Sequence, residues 1–264
     1  MITPEWRPLS HEAGLASYSL RGGLASLRKA NFASPEIYYG GFFQYTIGLE
    51  RVMKLALIVD YIAQNGRFPS DQQYAKKYGH KLTDLLAGIA DVRNRLDPSA
   101  QVWELPDADL TDPAISFLSD FAMGARYYNI DVLTGKVKTQ DPVERWFSEV
   151  GRLLIKKRKR PWRDLEWARE LDTQIGSVSS ILFEAEDGSP IQGFAAAAQA
   201  TSESEYVAKE GTFLCARIAR HAISILIARS AQVPHRITVP YFIEFFYLFT
   251  MHDAYLKRQK AFTA

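Results

Sequence analysis

An all-α fold is predicted by three features of the sequence. Apolar residues recur at three- and four-residue steps through nearly every long hydrophobic segment. Several of these segments open on a capping residue followed by proline and close on glycine. No segment shows confident strand alternation. Together these features predict roughly seven to nine helices.

Taken in order, residues 1–33 carry scattered Ser and Gly and little periodicity, which predicts an N-terminal arm that packs irregularly. Ser34-Pro35-Glu36 is a helix start, with a cap, a pre-set φ and an acid at the positive end of the dipole. Phe42, Tyr45, Leu49, Val52, Ala56 and Val59 then form one apolar face, and past Leu55 the helix is apolar nearly all round. Asn65-Gly66 stops it, while Gly40-Gly41 shortens it, bends it or admits a close neighbour. Ser70 to Gln73 is a capping box for a short helix ending at Gly79. A further helix from Lys81 carries Leu82, Leu85, Leu86, Ile89 and Val92 on one side. Asp112-Pro113 and Asp141-Pro142 share one starting grammar. The first leads into Ile115, Leu118 and Phe121, the second into Val143, Trp146, Phe147, Val150, Leu153 and Leu154.

After a basic boundary, Trp167, Leu171, Ile175, Val178 and Leu182 continue the helical spacing up to Asp187-Gly188. The competing reading there is a hairpin about Asp187-Gly188, and the unbroken spacing favours helix. Ser202 to Glu205 is a third capping box, opening a helix to about Arg229, and Pro240 begins the last helix. The chain divides into a bundle over residues 34–159 and a C-terminal helical region over 160–264 packed on it.

Composition narrows the function. With 32 basic and 30 acidic residues, the net charge of +2 excludes a histone-like or acidic-tail protein. The single cysteine, Cys215, excludes an internal disulfide framework and a Cys-based zinc site. The start MITPEWRPLSHEAG has no apolar core of signal-peptide length. Residues 241–249, interrupted by Glu244, fall short of the ~18–20 residues that span a bilayer. A cytoplasmic protein without membrane association is expected.

The block Gly48-Leu-Glu-Arg-Val-Met-Lys54, followed by Gly79-His-Lys-Leu-Thr-Asp-Leu-Leu86, resembles the HEPN superfamily of prokaryotic helical bundles. Glu50, Lys54, His80, Leu82 and Leu86 stand at matching positions, and Ala125-Arg126-Tyr127-Tyr128-Asn129 is similar to the family's Arg-Tyr-Pro step, with Tyr128 in place of Pro. The resemblance covers about residues 34–159. It implies an HEPN-like bundle, extended here by a C-terminal helical half, with an RNA- or nucleotide-linked role in defence or stress. It also implies a homodimer, with a neighbouring-gene protein as a further partner.

Ribonucleases of that superfamily pair an Arg with a His four to six residues on, one to stabilise phosphate charge and one for general acid–base work. Here Arg93-Asn94 is followed by Pro98 where the His would stand, and only Arg229 and His235 match by spacing. These two are the catalytic candidates, and Pro234 between them argues against a regular helix presenting both. Glu50, Lys54, His80, Arg126 and Tyr127 are the ligand-binding candidates, with an intrahelical Glu50–Lys54 ion pair as the structural alternative. Their polar groups sit in apolar surroundings, which places any ligand pocket between residues 48–62 and 115–129. Lys156, Lys157, Arg158, Lys159 and Arg160, beside Trp162, are candidate nucleic-acid contacts or a solvated helix end. None of the five histidines forms a His-x3-His pair, so no metal site and no cofactor is expected. A noncatalytic binding module follows, with a metal-independent endoribonuclease as the alternative.

Overall fold

The computed structural model describes residues 4–70, 79–136, 140–159, 165–175 and 183–262. Among them every regular element is helical, apart from one isolated antiparallel bridge between Glu184 and Pro190. The all-α class holds. Among the described residues eleven α-helical segments occur, more than the seven to nine predicted. The N-terminal stretch is itself helical, and helices read as continuous break after Met123 and Phe246.

Residues read as an irregular arm form α1 (Trp6–Leu27). Its buried stripe is Leu9, Ala13, Ala16, Leu20, Leu24 and Leu27, interleaved with small residues that resemble turn formers in sequence. Those small residues serve close packing against α2 (Pro35–Asn65). A methyl group on Gly23 would lie 2.5 Å from Tyr45 N, and one on Gly48 would lie 2.6 Å from Leu20 N. Gly41 likewise faces Leu27, so Gly40-Gly41 neither shortens α2 nor ends it. Ser34 occupies the N-cap position of α2 without a side-chain capping bond, and Pro35 takes the first helical position. Gly66, at φ 63°, ends the helix as expected, with its N–H on Ile62 O at 2.8 Å.

Helix α3 (Leu82–Asn94) buries Leu82, Leu85, Ile89 and Val92. The short helix expected at 70–79 falls largely outside the described residues. Helix α4 (Ala108–Met123) starts at Asp107 rather than Asp112, and Pro113 sits in its second turn. Leu110 N and Thr111 N both reach Asp107 O, so a first turn forms upstream of the proline. A 3-10 turn (Ala125–Tyr127) and α5 (Tyr128–Leu133) follow, where one continuous helix was predicted.

Asp141 is a working cap: its carboxylate accepts from Val143 N at 2.7 Å and Glu144 N at 3.3 Å. It opens α6 (Pro142–Trp146), which continues through a π-helical turn (Phe147–Gly151) into α7 (Arg152–Lys156). Helix α8 (Glu166–Ile175) buries Ala168 and exposes Trp167 and Ile175, so the stripe read there is not its core face. Val178 and Leu182 lie outside the described residues. From Phe183 the chain makes the hairpin that the helical spacing argued against. Ile191 N donates to Phe183 O at 2.9 Å and Ala185 N to Ser189 O at 2.8 Å, about Gly188 at φ 75°.

Helix α9 (Gly193–Ser230) begins well before the Ser202 box. Ser202 Oγ donates back to Ala198 O at 2.9 Å, and the cap comes from α8 instead. There the Asp172 carboxylate accepts from Phe194 N at 2.5 Å and Ala195 N at 2.9 Å. The predicted last helix from Pro240 is broken into α10 (Phe242–Phe246), a 3-10 turn (Tyr247–Thr250) and α11 (Asp253–Arg258). At the break Arg220 Nη1 donates to Met251 O at 2.9 Å, which draws that carbonyl out of helical pairing.

One apolar cluster runs from Leu9 to Phe262, with residues from the N-terminal stretch and from both larger regions. Leu49, Val52, Ala56, Phe121 and Trp146 all lie in it. Phe42 is its aromatic centre, 4.8 Å from the Phe117 ring and 5.1 Å from Trp146. Cys215 is fully buried on α9, and burial pushes its thiol up to about 12. By length and composition α9 could cross a bilayer, yet 78% of its most apolar window is buried inside the protein.

Candidate anion-binding groove

Glu50 and Lys54 are one turn apart on α2, and Lys54 Nζ donates to Glu50 Oε1 at 2.8 Å. The same oxygen lies 2.9 Å from His80 Nδ1. Since a carboxylate only accepts, that contact places the ring proton on Nδ1. Glu50 and Lys54 are both about four-fifths shielded from solvent, whereas the His80 side chain is 70% exposed at the turn before α3. The intrahelical pair weighed as the structural alternative is therefore present, extended by the histidine.

These residues line a cavity of about 610 Å³ together with Arg51, Arg126 and Glu12. Its apolar wall is Ile47, Leu55 and Ile58 of α2 with Ala122 and Met123 of α4. Such a volume falls in the range of small-molecule sites, roughly 300–1,000 Å³. Arg51 is ion-paired to Glu12 of α1. Arg126 has no carboxylate within ion-pair distance among the described residues. Its guanidinium is held instead by two aromatic faces, 5.7 Å from the Phe43 ring centre and 5.1 Å from that of Tyr127. Tyr127 itself is about half exposed and outside the cavity wall. Glu12 and Arg51 escaped sequence reading because α1 did. The signal available was Arg51's place between Glu50 and Lys54, on a helix whose neighbour was unread.

The other candidates lie apart from this groove. Arg229 is buried, its Nε donating to Asp60 Oδ1 at 2.8 Å, while His235 is exposed in the turn after α9. Asp60 also accepts from Arg95 Nη2 at 2.8 Å and Gln64 Nε2 at 2.5 Å. Sequence reading missed this ion cluster because its arginines are 35 and 169 residues away. A carboxylate amid Ile58, Val59 and Ile62 was the available signal, since a buried charge requires a partner. Of the basic run, Lys157 is paired with Asp109 at 2.6 Å and Asp107 at 3.3 Å. Arg158 lies over the Tyr206 ring, and Lys156 and Lys159 are exposed. Arg160 and Trp162 fall outside the described residues. No group of three or more His, Cys, Asp or Glu side chains that could hold a metal ion occurs among the described residues.

Two further cavities are present. One, of about 690 Å³, is walled by Phe32 and Phe183 and rimmed by Asp141, Glu144, Glu184 and Glu186. Glu186 is buried there, accepting from Tyr38 Oη at 3.3 Å and from Ser204 Oγ, and burial holds its carboxyl above the usual range. The other, of about 860 Å³, is lined by Arg93, Asp97 and Trp103 with Ile243 and Thr250. Behind it the buried Arg220 guanidinium stands 3.9 Å from the Trp103 ring centre, and His221 Nδ1 donates to Trp103 O at 2.6 Å. Burial lowers the His221 pKa. No protein-family model, curated protein or solved structure matches the chain.

Proposed function

We propose that the chain is a noncatalytic, HEPN-like binding module with an RNA- or nucleotide-linked role, and that the groove between α2 and the end of α4 receives the ligand's anionic group. The observation that carries this reading is Arg126, a cation on a cavity wall with aromatic support and no carboxylate to neutralise it. Guanidinium groups suit phosphate oxygens through paired N–H donors. Arg229, committed to Asp60 in the interior, favours binding over the endoribonuclease alternative. From the resemblance the reading takes a homodimer acting in prokaryotic defence or stress, and from the sequence pattern a cytoplasmic location.

Calorimetric titration with adenosine and guanosine mono- and triphosphates and a short oligoribonucleotide tests the proposal. Binding of at least one, weakened roughly 10–100-fold in Arg126→Gln, is expected for the loss of hydrogen bonds to a charged group. No binding by wild type, or equal binding by the variant, overturns it. Total RNA incubated with wild type and with His235→Ala should stay intact in both; cleavage that depends on His235 would establish the nuclease instead.

A further inference from the structure

We infer that the groove takes a single terminal phosphate, the phosphomonoester of a mononucleotide, and not a polyphosphate or the continuous backbone of RNA. The inference rests on the proposed anion-binding reading and narrows it by counting charge. Six titratable side chains line the cavity: Glu12, Glu50, Arg51, Lys54, His80 and Arg126. Arg51 is neutralised by Glu12, and Lys54 by Glu50. Setting aside these two pairs and the imidazole, Arg126 alone remains of the six, and among the described residues of the cavity it carries the one uncompensated permanent positive charge. A triphosphate or a run of phosphodiesters would bring several negative charges against Glu12 and Glu50, with only that guanidinium to meet them. One phosphate is met by Arg126, whose planar guanidinium offers paired N–H donors to two phosphate oxygens.

The remaining surface fits the other half of such a ligand. Ile47, Leu55, Ile58 and Met123 provide an apolar wall for a planar base. Such a wall is sequence-tolerant, because every base presents an apolar face. Phe43 and Tyr127 hold the guanidinium 5.7 and 5.1 Å from their ring centres, so the phosphate would sit at Arg126 and the base along the apolar wall.

Titration of the full chain with AMP, ADP, ATP and an oligoribonucleotide across a salt series separates the possibilities. AMP binding at least as tightly as ATP is expected, with the logarithm of the association constant falling against log salt at a slope of about −1 or shallower. Arg126→Gln, at an exposed position and with its fold checked by circular dichroism, should lose AMP binding at least 10-fold. ATP or the oligoribonucleotide binding more than 10-fold tighter than AMP, with a slope beyond about −2, overturns the single-phosphate inference while leaving the anion-binding reading standing. No binding by any of the four overturns the single-phosphate inference, and if the guanosine nucleotides fail as well the anion-binding reading falls with it.

Discussion

Gly23→Ala tests how closely α1 and α2 are packed. The added methyl group would lie 2.5 Å from Tyr45 N and 2.7 Å from Tyr45 Cα, against an ordinary contact of 3.4–4 Å. Both obstructing atoms are backbone, so no side chain can rotate away, and the helices must separate by about 1 Å. A gap of that size forfeits a quarter to a half of each dispersion contact along the seam, which includes Leu20, Leu24 and Leu27. Overpacking of this kind costs ~1–3 kcal/mol or more, against a helix-propensity gain of ~1 kcal/mol. Gly14→Ala, in the same helix with nothing within 4 Å of the new methyl group, keeps only the gain. The two variants should therefore differ by the overpacking cost, ~1–3 kcal/mol in urea unfolding, or roughly 2–12 °C in Tm, with Gly14→Ala the more stable. Equal stability of the two would refute the close approach of α1 and α2.

Trp146→Ala removes a ring packed 5.1 Å from Phe42 and 5.2 Å from Phe117 and should cost ~3–5 kcal/mol in denaturant unfolding. Asp60→Asn leaves Arg229 buried against a neutral amide and should cost ~3–5 kcal/mol, whereas Arg95→Ala, with a side chain 40% exposed, should cost under ~1 kcal/mol. Glu186 has its carboxyl pKa raised by burial, so the folded state holds the proton more tightly than the unfolded chain and stability falls as pH rises through that raised value. Glu186→Gln should therefore raise Tm at pH 7–8, with the gain shrinking toward pH 4.5; a gain independent of pH would show that ionisation is not its source.

The features legible in the sequence are those whose causes are local. Pro35, Gly66 and the Asp141-Pro142 cap act within a turn of themselves, and the elements they bound are present. The Glu50–Lys54 pair is of the same kind. What sequence reading missed depends on partners distant in the chain. Gly23 reads as part of an irregular arm until the opposing helix is known, and α9 has no cap of its own because Asp172 on another helix supplies it. At Asp187-Gly188 two local signals competed, and the glycine's turn geometry prevailed over helical spacing. The gathering of Glu12, Arg51 and Arg126 around Glu50 was legible only in part, because one wall comes from α1.

The bonds that tie α2 to α9 and α1 to α10 span most of the chain: Tyr45 Oη to Cys215 O at 2.7 Å, and Ser17 Oγ to Phe245 O at 2.6 Å. During synthesis α1 and α2 leave the ribosome long before these partners exist. At ~5–20 residues per second the interval between residue 65 and residue 262 lasts roughly 10–40 s. Throughout it Tyr45, Leu49, Val52 and Ala56 lack the surface that finally covers them, and the paired helices present an apolar flank to solvent. Productive folding must wait for the last turns of the chain, and the nascent protein is a natural client for chaperones that shield such flanks.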